Sequence, residues 1–133
     1  MARVGITIDC RSEQEVEDLA AFWAAALGYT RLLPDYLADP EGVGPRLAFQ
    51  IVPDPTPGKL RWHLDLYVDH LDAMQSRVAE LVKLGATEVA RFDEVSCGYT
   101  DIFTAMLDPL GNEFCVCAPH TSVEDGLGLE ASS

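Results

Sequence analysis

Basic side chains are scarce in this sequence. Nine lysine and arginine residues stand against twenty-two aspartate and glutamate residues, so the formal net charge of the 133-residue chain is −13. A surface of this sign repels phosphate backbones and anionic lipids at long range. We therefore expect no nucleic-acid partner, and we read the acidity mainly as a source of solubility.

Long apolar runs are also missing. No stretch reaches the roughly 18 consecutive apolar residues that a transmembrane helix requires. The first ten residues, MARVGITIDC, lack the apolar core and small-residue cleavage site of a secretory signal. These two absences predict a cytoplasmic protein with no membrane partner.

Cysteine occurs four times, as Cys10, Cys97, Cys115 and Cys117. Without a secretory context this number does not indicate disulfides, and one residue between Cys115 and Cys117 is not the C-x-x-C spacing of zinc or thioredoxin motifs. In an extended strand those two side chains would share one face. We expect buried, unreactive thiols.

What is present fits one globular domain with its own core. Hydrophobic residues make up 48% of the chain and charged residues 23%, an ordinary balance for a chain long enough to bury a core.

The first half predicts a strand, a helix and a second strand. Residues 4–10 form a short segment rich in β-branched side chains, which is typical of a strand. Ser12-Glu13-Gln14-Glu15 has the capping-box form, apolar residues follow at helical spacing, and Gly28 is placed as a left-handed C-cap. Residues 29–45 contain three prolines and two glycines, which favours irregular or weakly stranded structure, and residues 46–52 read as a strand.

The second half follows a proline-rich loop over residues 53–58. From Lys59 polar and apolar residues alternate, as in a strand with two different faces. Asp69 is expected to cap a second helix that ends at Gly85, a turn follows at 108–111, and a tail after Pro119 is expected to be frayed. The expected apolar stripe of this helix is Leu71, Met74, Val78, Leu81 and Val82, and strands are predicted over 102–107 and Glu113–Cys117.

The two halves resemble each other. Ser12 precedes Gly28 by sixteen residues, and Asp69 precedes Gly85 by the same sixteen. Each predicted helix follows a strand and precedes strand-like segments, so the chain reads as strand-helix-strands twice over.

This duplicated pattern resembles the β-α-β-β-β modules of the vicinal oxygen chelate superfamily, which includes glyoxalase I, bleomycin-resistance proteins, fosfomycin-resistance enzymes and extradiol dioxygenases. Within it, the chain resembles the glyoxalase-like domain subfamily over nearly all of residues 4–118. The matching segments are Ala21-Phe22-Trp23 with Leu27-Gly28-Tyr29, His63-Leu64-Asp65-Leu66-Tyr67-Val68-Asp69, and Asp108-Pro109-Leu110-Gly111-Asn112.

The resemblance implies an α+β protein whose curled, cup-like mixed sheets carry helices on the outside. It implies one glyoxalase-like domain over 1–118, with module one at about 4–52, the loop at 53–58 and module two at about 59–118, followed by a flexible tail over 119–133. Members commonly form dimers, so it also implies a homodimer.

In metal-using members, the resemblance implies that four ligands line the cup. His63 matches the position that opens the second module, and Gln50 a position late in the first. Cys115 stands where those members carry their last glutamate, and Asp9 is the only candidate near the first ligand position. The candidate divalent-metal site is thus His63, Gln50 and Cys115, which is incomplete by the superfamily's standard.

Several side chains have both a functional and a structural interpretation. His63 could ligate a metal, act as a general base or bind a ligand, or it could simply be satisfied by a neighbour such as Asp65. The stripe of Lys59, Arg61, His63 and Asp65 could look into the cup and hold a carboxylate or enolate oxygen, or it could be a solvated strand face.

Two carboxylates also have two interpretations. Glu113 shares a strand face with Cys115 and could act as a general base, or it could be a rim charge. Asp9 could face the ligand or only mark the end of its strand.

Three functions remain in view. One is a small-molecule binder, of the bleomycin-binding type, without a complete catalytic metal site. A second is a metal-dependent lyase, isomerase or dioxygenase of the superfamily. A third is a metal-free acid–base catalyst that uses His63 and Glu113. The predicted ligand-binding side chains are Asp9, Gln50, Lys59, Arg61, His63 and Cys115.

Overall fold

The computed structural model describes residues 4–55, 57–58, 63–96 and 99–122. The chain divides into two compact units, one ending at Gly58 and the other beginning at Lys59. Each unit pairs one α-helix with a mixed sheet that is not closed into a barrel.

The first unit is a four-stranded sheet with one helix. Its strands are hydrogen-bonded in the order β1-β4-β3-β2; β1 runs parallel to β4 and the other neighbours are antiparallel. The elements are β1 (Gly5–Cys10), α1 (Glu13–Leu27), β2 (Thr30–Leu33), β3 (Tyr36–Ala38) and β4 (Arg46–Ile51). Residues 29–45, expected to be irregular or weakly stranded, thus contain the β2–β3 hairpin.

Helix α1 begins and ends where the sequence indicates. The Ser12 hydroxyl accepts a hydrogen bond from the Glu15 amide at 3.2 Å, and the Glu15 carboxylate accepts one from the Arg11 amide at 2.8 Å. Gly28 adopts the left-handed conformation at φ 69°. The buried side of the helix consists of Val16, Leu19, Ala20, Phe22, Trp23 and Ala26.

The second unit repeats the first. Its strand order is β5-β8-β7-β6, with β5 parallel to β8 and with β9 added to β7. The elements are β5 (Leu64–Tyr67), a 3-10 turn (Leu71–Ala73), α2 (Met74–Lys83), β6 (Thr87–Ser96), β7 (Tyr99–Leu107), β8 (Glu113–Cys117) and β9 (Thr121–Ser122). The same strand order in both units confirms the α+β fold of two β-α-β-β-β modules.

The second helix differs from its prediction at the start and along its stripe. A 3-10 turn precedes it, and Ala73 stands at its N-cap without a side-chain hydrogen bond, so Asp69 is not its cap. Met74, Val78 and Leu81 are buried as expected. Leu71 and Val82, however, are 42% and 43% exposed. Leu71 belongs to the 3-10 turn before the helix, and a ten-residue helix on one sheet buries only a narrow stripe that leaves Val82 outside it.

Strand boundaries also differ from the sequence-based expectation, and β1 begins at Gly5 rather than at residue 4. Strand β7 begins at Tyr99, three residues before the expected start at 102, because its hairpin with β6 is long. Strand β4 ends at Ile51 rather than at 52. Thr121–Ser122, within the segment expected to be a flexible tail, pairs with β7, and residues 123–133 lie outside the described part of the chain.

Among the residues described, no helix combines the length and the apolar character needed to cross a bilayer.

Gly28 offers a direct test of the α1 terminus. A Cβ at this position would meet nothing within 4 Å, so a substitution changes only the backbone energy. Gly28→Ala should lower the free energy of unfolding by about 1 kcal/mol, the cost of holding an L-residue in the left-handed region. Gly28→Asn should lose less, since asparagine enters this region more readily. Urea unfolding followed by tryptophan fluorescence measures both, and equal losses would contradict this account of the cap.

Candidate functional site

The face of the first sheet that points away from α1 carries Asp9 and Gln50. These residues are register partners on the parallel strands β1 and β4. The Gln50 amide donates a hydrogen bond from Nε2 to Oδ1 of Asp9 at 2.8 Å, and both residues are exposed. Two of the predicted ligand-binding side chains are therefore in contact, although forty-one positions separate them in the sequence.

A shallow depression of about 320 Å³ lies on the same unit. At its edge the Tyr36 hydroxyl accepts a hydrogen bond from Arg46 Nη1 at 2.9 Å. The wall of the depression thus combines hydroxyl, carboxylate and amide groups with apolar side chains. The residues that line it are Thr7, Leu33, Asp35, Tyr36, Ala48, Phe49 and Gln50.

The second unit brings His63, Asp65 and Cys115 together. The parallel pairing of β5 with β8 places Asp65 directly beside Cys115, and His63 precedes Asp65 by two residues on the same side. One ligand atom from each of the three lies within 4.8 Å of the other two. His63 Nε2 is 3.1 Å from Asp65 Oδ1, and both side chains are about 40% exposed.

The His63 imidazole contacts the carboxylate of Asp65. The sequence predicts Asp65 as a neighbour that could satisfy the polar nitrogens of this imidazole. Asp65 is also the third side chain of the cluster, a role that the sequence analysis did not give it. The alternation of β5 was the signal, because it puts Asp65 on the face of His63.

The cysteines of β8 are buried, as expected. Burial raises the pKa of Cys115 to about 11, and the negative charges of Asp65, Glu113 and Asp101 contribute in the same direction. Burial also raises the pKa of Cys117, and so does Asp65 beside it. Both thiols are therefore protonated near neutral pH and are poor nucleophiles.

Of the two other cysteines, one lies within the described residues. Cys10 is buried in the first unit. Cys97 lies outside the described residues.

A second titratable pair lies near the same sheet. His120 Nε2 is 3.4 Å from Asp101 Oδ1, and the His120 ring meets the Tyr67 ring edge to face at 5.8 Å. Burial raises the pKa of Tyr67, with Cys117, Asp65 and Asp101 contributing in the same direction. No local sequence pattern marks Asp101 and His120, because only the strand pairing around β7 brings residues so far apart together.

Glu113 starts β8 and is half-buried. It lies two residues before Cys115 on the same face, and its charge helps to raise the pKa of that thiol. The pairing of β5 with β8 begins at Leu64 and Phe114. His63 and Glu113 each stand one residue earlier, so both lie at the same end of this strand pair.

The donor set of the second unit suits a borderline-soft divalent ion. Imidazole nitrogen, carboxylate oxygen and thiolate sulfur are the three ligand types that zinc accepts. Separations within 4.8 Å need only small side-chain movements to close around one ion. Two members, His63 and Cys115, are predicted metal ligands. The third predicted ligand, Gln50, belongs to the first unit and bonds Asp9 there.

Two predicted ligand-binding residues, Lys59 and Arg61, lie outside the described part of the chain.

Comparison with solved structures gives one consistent picture. A glyoxalase/bleomycin resistance protein/dioxygenase family enzyme from Burkholderia phytofirmans PsJN aligns with a TM-score of 0.69 at 18% identity, over 88% of this chain and 98% of that one. A glyoxalase-related enzyme from Fulvimarina pelagi aligns at 0.65 and 16% identity, over 89% and 88%. The fosfomycin resistance protein FosX from Mesorhizobium loti aligns at 0.62 and 14% identity, over 88% and 91%. At these identities the matches show a shared fold.

The sequence comparisons narrow the family. No functionally curated protein matches the chain. The family model of the glyoxalase-like domain, however, matches residues 5–117. The chain therefore belongs to the glyoxalase-like domain family, within the glyoxalase/bleomycin resistance/dioxygenase superfamily that is also called vicinal oxygen chelate.

Proposed function

We propose that this protein binds a small organic molecule on the open faces of its sheets and does not depend on a complete catalytic metal site. The observation that carries the proposal is the Asp9–Gln50 pair beside the depression on the first unit. An exposed carboxylate–amide pair next to an apolar wall offers the few directed polar groups and the apolar contact that small-molecule sites combine.

The second unit also supports the binding of a small organic molecule without a complete metal site. The resemblance to the superfamily implies that Cys115 stands where metal-using members carry a glutamate, and its thiol is protonated near neutral pH, with a pKa of about 11. His63 Nε2 already lies 3.1 Å from Asp65 Oδ1. The thiol would have to lose its proton before it could bind an ion, whereas both side chains can exchange hydrogen bonds with an organic ligand as they stand.

The names of the structural relatives point in the same direction. They include bleomycin-resistance and fosfomycin-resistance proteins, whose names refer to small compounds rather than to macromolecules. A cytoplasmic location and a small-molecule partner remain predictions of the sequence, together with the roles of the individual site residues.

Removal of the Gln50 amide should test the first-unit site. Ligand-observed NMR against a panel of small organic acids, amides and amines should find binders, and Gln50→Leu should weaken the best of them about fivefold, the effect of one lost hydrogen bond. The matched control is Gln14→Leu, because Gln14 bonds Asp18 on the exposed side of α1. Equal affinities in the two variants, or no binder in the panel, would contradict the proposal.

A metal-dependent lyase, isomerase or dioxygenase is the second candidate function. The observation that favours it is the cluster of His63, Asp65 and Cys115. A divalent ion there would supply Lewis-acid polarisation of a ligand oxygen. The three side chains of this protein would hold and orient the ion, and the Cys115 thiol would have to release its proton on binding.

The thiol proton gives this candidate a pH signature. Because the pKa of Cys115 is raised to about 11, that thiol is protonated below this pH and zinc must displace the proton. The zinc association constant should therefore rise about tenfold per pH unit between about pH 7.5 and 9, as measured with a competing chelator. Cys115→Ser should bind more weakly and lose this slope.

The matched control is Cys117→Ser, which removes the neighbouring thiol but leaves a hydroxyl beside Asp65. It should keep the pH slope and the affinity of the unaltered protein. If Cys115→Ser and Cys117→Ser bind zinc alike, or if neither they nor the unaltered protein binds it stoichiometrically, the metal-dependent function is wrong.

A metal-free acid–base role for His63 and Glu113 remains a further proposal. The shared end of the β5–β8 pair supports it, as does the Asp65 carboxylate that orients the His63 imidazole.

A further inference from the structure

Strand β6 is an exposed sheet edge. It stands last in the order of its sheet and, within the described residues, it pairs only with β7. Every described side chain from Thr87 to Val95 is exposed except the half-buried Ala90. Val89, Phe92 and Val95 are 57%, 40% and 69% exposed. A long edge strand with apolar side chains is a template for pairing with another strand.

The edge is regular over most of its length. The register with β7 shifts between Glu88 and Ala90, and from Ala90 onward it is continuous to Ser96. A bulge at the start of an edge strand limits pairing there, but the remaining segment keeps an unbroken row of backbone groups.

The side chains of this segment are self-complementary. We infer that β6 pairs antiparallel with β6 of a second copy of this chain, with Phe92 on the two-fold axis. Phe92 then lies opposite Phe92 of the partner subunit, and Arg91 lies opposite Asp93 of the partner subunit. Directly opposed side chains of antiparallel strands have their Cβ atoms about 4.5–5.5 Å apart, and aromatic pairs and opposite charges at this distance stabilise the pairing.

Neighbouring registers are worse. A shift of one residue in one direction puts Arg91 opposite Glu94 but Phe92 opposite Asp93, and a shift in the other direction puts Arg91 opposite Phe92, so neither keeps the aromatic pair. A shift of two residues puts Arg91 opposite Arg91, or Asp93 opposite Asp93, and like charges directly opposed destabilise a strand pair. The Phe92-centred register is the one in which both the charged and the aromatic pairs match.

The charges needed for this pairing are accessible. Arg91 Nη2 is 3.7 Å from Asp93 Oδ1 within the same strand, and these side chains are 46% and 64% exposed. An exposed pair of this kind contributes little to the fold, so both groups can take partners across the two-fold axis without loss of stability.

The aromatic rings favour the same arrangement. Phe92 is stacked on Phe103 of β7, with ring centroids 5.1 Å apart and planes inclined by 22°. Pairing at Phe92 would extend this stack into a row of four rings across the two copies. The resemblance to a dimerising superfamily implies only that a partner exists, whereas the β6 pattern identifies the surface and the register.

Charge reversal on β6 tests this interface. Sedimentation velocity on the full chain should show a reversible dimer with a dissociation constant on the order of micromolar, because strand pairing buries less area than a standard interface. Arg91→Glu and Asp93→Arg should each weaken the dimer about tenfold or more, because each replaces two opposite-charge pairs by like-charge pairs.

Complementation gives the decisive result. An equimolar mixture of Arg91→Glu and Asp93→Arg chains should form heterodimers, since each chain then presents one sign of charge to the other. The double variant Arg91→Glu/Asp93→Arg should dimerise as the unaltered chain does. Neither rescue is expected unless residue 91 faces residue 93 of the second copy.

The control variant is Lys83→Glu, which makes the same charge change at the exposed end of α2. It should leave the dimer intact, and circular dichroism should show that every variant is folded. A monomer at hundreds of micromolar, or a dimer that resists both single reversals, would overturn the inference. Failure of ligand or zinc binding would not affect it, because the interface does not rest on either site.

Discussion

The parallel pairing of the first and last strand of each unit is the constraint on which the rest of the structure depends. It joins β1 to β4 and β5 to β8, so residues from the two ends of a module become neighbours. The chain between such parallel strands includes the helix, which covers one face of the sheet and leaves the other face open. Asp9 beside Gln50 and Asp65 beside Cys115 are direct results of this register.

Asp65 acts on several groups of the second unit. It contacts His63, and after burial it is a further cause of the raised pKa values of Cys115, Cys117 and Tyr67. Burial therefore keeps the two thiols protonated, and the partly exposed Asp65 carboxylate adds to this effect while it contacts the imidazole. Any ligand bound at this face would compete with the contacts that Asp65 already makes.

The open faces explain why one fold can serve several functions. The helix-covered sides are fixed by core packing, with Leu47, Met74 and Phe114 almost fully buried. On the open sides, substitutions cost little stability and change the chemistry. Position 115 on the open side of β8 carries a thiol that is protonated near neutral pH, with a pKa of about 11, so the chemistry of this face depends on its proton.

Much of the fold was predictable from local signals. Ser12, Glu15 and Gly28 marked the ends of α1, and the Asp108–Gly111 segment marked the turn before β8, because capping and turn chemistry act between residues close in sequence. The start of α2 was not predictable in this way, since Asp69 has a capping side chain and yet a 3-10 turn intervenes. The length of the β6–β7 hairpin was also missed, because its exposed, charged residues carry no core pattern.

The sequence by itself determined the family, the duplication and the candidate residues His63, Cys115, Asp9 and Gln50, since periodicity and motif order are properties of the linear chain. Only the tertiary structure decided their partners. It paired Gln50 with Asp9, added Asp65 to His63 and Cys115, and placed His120 beside Asp101. These contacts depend on strand register, and a register is fixed by how two distant segments pack on one core rather than by either segment alone.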